Sequence, residues 1–349
     1  MGFPTCFLSG TRIRAARGDV QIESIVAGDA VVVVRDGELA LEPVKWVGYT
    51  YIDLARSARR EDAAPIRFRR NAVALDQPVR DLIVSPEHCF IIDGLCVPAK
   101  LLVNGGSVVR ERDHEPFTYY HIELERHSIL LSENTATESY LDTGNRSSFD
   151  NADEPRQLHP DFSGHFTSAR WDSDACAPLA KLPEQIDPIW IRLAERSVAI
   201  GYPIPVVQTV EDADIHLVAD GQAIRPTSDI DSRYVFMVPA GTKSVSLMSR
   251  VCVPADKMIA GQRDQRRLGV AVNWIALRAE NAETIIPADH PGLSDGWNSM
   301  EQDSQSMWRW TDGAAKIPWE NVVGASVVTV RCSPAQSYPI YNDGARLVA

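Results

Sequence analysis

The chain has 349 residues, 44% of them hydrophobic, and a formal net charge of −12. That length allows two domains with cores of their own, and the negative balance argues against nucleic acid or an anionic membrane as partner, because phosphate is held mainly by Lys and Arg. No run of about eighteen apolar residues occurs, so no membrane-spanning helix is expected, and Met1–Thr5 lacks the charged and apolar regions of a signal peptide, which leaves the chain cytoplasmic or exported without a recognisable signal.

In chain order, the first 146 residues read as many short strands. Ala30 to Val34 is a β-branched run, and Val44 to Tyr51 alternates around Trp46 and Gly48. Asp81 to Val84 leads into Ser85-Pro86-Glu87-His88, after which Cys89 to Ile92 resumes as a strand. Gly37, Gly94 and Gly105-Gly106 punctuate the turns. Phe117 to Leu124 and His127 to Leu131 are further strands, Asn134 to Ala136 reads as a turn, and Arg56 to Arg70 reads as an exposed basic loop. Turn signals every eight to twelve residues point to an all-β domain.

Residues 147 to 185 are polar and carry Pro, as a linker would. Ile186 to Ile200 has apolar residues at helical spacing, Trp190, Leu193, Ala194 and Val198, and Gly201 and Pro203 end that helix. Strand patterns return at Asp214 to Leu217, Tyr234 to Val238, Ser244 to Leu247, Leu268 to Leu277 and Val327 to Arg331. The expected organisation is a domain over 1–146, a linker over 147–185 and a β-sandwich-like domain over 186–349 prefaced by one helix.

The chemistry-bearing residues gather in the first domain. Cys6 opens the run Cys6-Phe7-Leu8-Ser9-Gly10-Thr11-Arg12-Ile13; Ser85-Pro86-Glu87-His88 sits between two strands; Glu125-Arg126-His127 follows the strand containing His121. This set, with Glu138-Ser139-Tyr140-Leu141-Asp142-Thr143-Gly144-Asn145-Arg146, resembles the Hedgehog/intein (Hint) superfamily, in particular its bacterial Hint_2-type domains, over roughly residues 3 to 146. The resemblance implies an all-β Hint fold and a reaction on the protein's own backbone. Cys6 would attack the carbonyl before it and turn a peptide bond into a thioester. Ser85 and His88 would hold and weaken the scissile amide, and His127 would move protons. A terminal His-Asn, which splicing needs, is missing from Asn134 to Tyr140, so cleavage without splicing is expected. The substrate would be the N-terminal peptide, and a cut before Cys6 would release Met1 to Thr5.

The other cysteines, Cys89, Cys96, Cys176, Cys252 and Cys332, show no CxxC pair, so free thiols are expected rather than a zinc ribbon or disulfide framework. No two-His metal spacing and no Gly-rich phosphate loop occurs, so neither metal nor cofactor is expected. His114, His121, His159, His165, His216 and His290 read as structural. In the second domain, Arg266 to Val272 and Trp308 to Gly313 resemble segments that follow such Hint domains and that accompany bacterial glycosyltransferases, without naming a reaction. The alternative is an inert Hint scaffold in a binding protein whose C-terminal domain recognises a carbohydrate or a protein.

Overall fold

A computed structural model describes residues 5–57, 60–152, 169–261, 263–279, 282–319, 324–335 and 337–340. It is mainly β, built from antiparallel sheets, and it divides into two compact units, one ending at Pro205 and one beginning at Val206. Among the described residues no helix is long and apolar enough to cross a membrane.

The first unit has two sheets. The six-stranded one runs, in spatial order, Val108–Arg110, Ile66–Phe68, Leu82–Val84, Phe7–Leu8, Phe117–Glu123 and Trp46–Ile52. The eight-stranded one runs Leu95–Pro98, Cys89–Ile92, Thr135–Glu138, Ile129–Ser132, Arg12–Ala15, Ala30–Arg35 and Glu38–Pro43, with Gly18–Gln21 paired to Arg12–Ala15. Alternating apolar residues from both sheets, among them Phe7, Val84 and Ile122 from one and Ile13, Val33 and Leu130 from the other, bury into one core. Each such side chain contributes roughly 1.5–3 kcal/mol on removal from water. Phe68 of one sheet and Phe90 of the other stack with ring centroids 3.9 Å apart.

Two stretches fold otherwise than their composition suggests. Arg56 to Arg70 is not an exposed loop throughout, because Ala63, Ala64, Ile66 and Phe68 are fully buried and Ile66–Phe68 is a strand between two others. The Asn134 to Ala136 turn is tighter than expected. Glu133 and Asn134 carry the positive φ, and Thr135–Glu138 at once becomes a strand. Ser132 Oγ lies 2.8 Å from Thr137 Oγ1 across the hairpin, whereas the buried Thr135 hydroxyl has no partner among the described residues.

The helix also sits differently. It spans Pro183–Ala199 and buries Ile186, Ile189, Leu193 and Ser197, whereas Val198 is exposed. The buried apolar residues join the core of the first unit, so the helix belongs to that unit and does not preface the second. Trp190 Nε1 donates to the Val103 carbonyl at 2.8 Å, and the Ser107 amide donates to Ser197 Oγ at 2.7 Å. The stretch before it is likewise engaged. The Cys96 amide donates to Pro178 O at 2.8 Å and the Ala180 amide to Cys96 O at 2.9 Å. The proposed linker of 147–185 thus ends in a segment laid along a strand of the first unit; its middle lies outside the described residues, as do His159 and His165.

In the second unit a four-stranded sheet, Gln222–Ile224, His216–Ala219, Val245–Met248 and Ala314–Ile317, shares a core with a seven-stranded one centred on Ser326–Pro334 and Val270–Ala279. Leu217, Leu247 and Ile317 come from the first sheet, and Phe236, Ile275 and Val330 from the second. This is the sandwich-like arrangement expected from alternating strands.

Candidate functional site

Phe7–Leu8 is the strand that assembles the site. It lies between Leu82–Val84 and Phe117–Glu123, with Phe7 paired to Val84 on one side and to Tyr120 on the other. Continued by one residue, the same register sets Cys6 beside Ser85 and His121. The Ser85 side of this is closed by two hydrogen bonds: the Cys6 amide donates to Ser85 Oγ at 2.8 Å, and the Ser85 amide donates to Cys6 O at 2.9 Å. The nitrogen so held is that of the Thr5–Cys6 peptide.

Ser85 and His88 are the ends of one turn. The His88 amide donates to Ser85 O at 3.1 Å, and Pro86 occupies the position whose fixed φ suits such a turn. The His88 ring is fully buried, 4.2 Å from Phe7 and 5.2 Å from His121 between centroids. His121 is also fully buried, edge-on to Phe7 at 5.7 Å and to Tyr140 at 5.6 Å. Neither nitrogen of either ring has a hydrogen-bond partner among the described residues.

Glu138 is the carboxylate of the cluster. It is 1% exposed, its Oε1 accepts from the Cys89 amide at 2.8 Å, and its Oε2 lies 3.4 Å from His127 Nε2. His127 Nδ1 accepts from the Cys176 amide at 2.9 Å, and its ring meets Trp171 edge-on. Glu125, the acid two residues before His127, points elsewhere: its side chain is 64% exposed and 3.9 Å from Lys45.

The electrostatics follow from desolvation first, then from the Glu138 carboxylate and the neighbouring imidazoles and Cys176. Burial pushes the Cys6 thiol well up, and the Glu138 charge adds to the shift. Burial lowers His88 to about 4, with Glu138 opposing and His127 adding. His121 is driven well below the usual imidazole range by burial, then by His88 and His127. Burial disfavours the His127 imidazolium too, but the Cys176 and Glu138 side chains outweigh it and lift the group to about 9. The Cys176 amide limits that rise, since it uses the Nδ1 lone pair that a second proton would need. The first proton therefore sits on Nε2, towards Glu138.

The fold thus brings Cys6 and Ser85 into direct contact, packs His88 against Phe7, and ties His127 to Glu138. Sequence reasoning gave two members of this cluster no chemical role. His121 alternates with apolar neighbours as a structural histidine would, and Glu138 heads the segment Glu138 to Arg146 of the resemblance without a role of its own there. The usable signals were the register of the strand pair, which sets His121 beside Cys6, and a buried acid at a strand end.

Comparison with known proteins agrees with the motifs. A family model described as Hint_2, Hint domain, matches residues 5–144. The chain is similar to the solution structure of a bacterial intein-like domain from Clostridium thermocellum, at 18% identity over 40% of this chain and 99% of that one, with a TM-score of 0.31. No curated protein matches the chain. Residues 5–144 of this chain are a Hint-superfamily domain.

Proposed function

We propose that the Hint domain cleaves its own backbone before Cys6 by an N-to-S acyl shift, without splicing. The Cys6 sulfur bonds to the Thr5 carbonyl carbon, the bond from that carbon to the Cys6 nitrogen breaks, and the thiol proton ends on the freed amine. Water or an added thiol then takes the acyl group and restores the Cys6 thiol. Ser85 holds the scissile amide, neutral His88 takes or gives the proton at that nitrogen, and His127, oriented by Glu138, relays protons.

The observation that carries this reading is the hydrogen bond from the Cys6 amide to Ser85 Oγ. It places a side chain of the turn that also bears His88 on the one peptide nitrogen the reaction must release. A planar amide is a poor electrophile, so a fixed geometry and a buried, polarising site are what such a step requires. The absence of His-Asn between Asn134 and Tyr140 supports cleavage rather than ligation.

The test is a folded partner fused ahead of Thr5 and exposed to dithiothreitol. Wild type should release it, Cys6→Ala should not, and Ser85→Ala and His88→Ala should each slow release by about a hundredfold or more. His127→Ala should have a smaller or equal effect. No cut should appear at Ser139. A fusion equally intact in wild type and Cys6→Ala would leave the domain an inert scaffold.

A further inference from the structure

We propose that His88, His121 and Glu138 form a binding site for one transition-metal dication of the zinc class. One donor atom from each residue lies within 4.8 Å of the other two, and all three residues are buried. Two imidazoles fully removed from water with no partner among the described residues on any of their four nitrogens are costly as they stand, since each orphaned polar atom forfeits its hydration. An ion at the centre of the triangle takes one lone pair from each ring and the charge of the carboxylate at once.

The donor set selects the ion. Two imidazole nitrogens and one carboxylate oxygen suit Zn²⁺ and its neighbours, whereas Mg²⁺ and Ca²⁺ prefer oxygen throughout. Bonds of about 2.0–2.2 Å place tetrahedral ligands about 3.3 Å apart, so the side chains close by up to about 1.5 Å on binding. Three protein ligands leave a fourth position open. Glu138 is already aimed, because the Cys89 amide holds Oε1 at 2.8 Å and His127 Nε2 stands 3.4 Å from Oε2. Outer contacts of this kind orient a ligating carboxylate. His121 belongs to the six-stranded sheet and Glu138 to the eight-stranded one, so the ion ties the two sheets together. The ligands lie far apart in sequence, which is why no metal spacing is visible there.

The experiment uses the full chain carrying Cys6→Ala, so that binding is measured whether or not the domain cleaves itself. After treatment with a chelator, calorimetric titration with ZnCl₂ should give one ion per chain, and CoCl₂ should give the visible bands of a tetrahedral site. MgCl₂ should give neither. His121→Gln and Glu138→Gln should each weaken Zn²⁺ by at least about a hundredfold, more than the loss of an outer partner costs. Cys89→Ser and Cys176→Ser should keep the ion, which separates this site from the nearby thiols. Should a ligand variant fail to fold, histidine nitrogen NMR of the parent settles the matter, with the resonances of His88 and His121 moving on zinc addition. No zinc uptake, uptake unchanged in both ligand variants, loss of uptake with Cys176→Ser, or unmoved His88 and His121 resonances would each overturn the site.

Discussion

A buried imidazole is a liability in acid, and this domain carries two side by side. In the unfolded chain His88 titrates near the ordinary value of about 6.5; in the folded domain burial holds it to about 4. The unfolded state therefore binds the proton first as pH falls. Stability is full above about pH 6.5 and declines through the interval down to about 4, by about 1.4 kcal/mol per pH unit and about 3 kcal/mol in all. His121 acts in the same direction. His127, raised to about 9, works oppositely: its contribution is complete below about pH 6.5 and fades as pH climbs through 9. Urea midpoints of the first unit in chelator should therefore drop steeply between about pH 6.5 and about pH 4.5, and His88→Gln should flatten that limb. A midpoint indifferent to pH over that range contradicts the burial argument. Cys6, Ser85 and His88 were legible in sequence because each belongs to a short motif with its own turn or strand start. The places of His121 and Glu138 in the cluster were not, although Glu138 heads a segment of the resemblance, because what brings them there is the neighbour across the sheet, and no local pattern encodes it.

At the scale of elements, the helix Pro183–Ala199 shows why periodicity finds a helix more readily than its buried face. The spacing of Trp190, Leu193, Ala194 and Val198 suggests one apolar stripe, while Ile186, Ile189 and Leu193 form another that shares Leu193 with it, and only the partner surface decides between them. Here the second stripe is in the core, while Trp190 is held through its indole N–H. Gly106 marks a close approach: a Cβ there would stand 2.3 Å from Ser197 Oγ and 2.7 Å from Tyr202 O. The strand Ile66–Phe68 was hidden for a different reason, since its flanking arginines dominate the composition while its two apolar residues are fully buried. If the helix is part of the first unit, Leu193→Ala should lower that unit's stability by about 2–5 kcal/mol, as expected for a large core truncation. Chemical denaturation followed by a first-unit tyrosine or tryptophan probe checks this. A change below about 0.5 kcal/mol would put the helix outside the core.

For the whole molecule, the two-part organisation was legible from the return of strand patterns after a polar stretch. The position of the division was not. Contacts separate the units between Pro205 and Val206, because the segment from Cys176 to Ala180 and the helix after it bond to the first sheets. The chemistry proposed here lies wholly in the first unit, so a chain ending at Pro205 should process as the full chain does. The most direct measurement combines both points. A folded partner is fused ahead of Thr5 in the full chain and in the chain ending at Pro205, each is treated with cysteamine, and the released partner is weighed by intact mass spectrometry. The expected product is a partner ending at Thr5 with one cysteamine attached, formed at the same rate from both chains and absent with Cys6→Ala. An intact fusion, or a partner bearing a plain carboxylate that appears equally with Cys6→Ala, would contradict a thioester at Cys6.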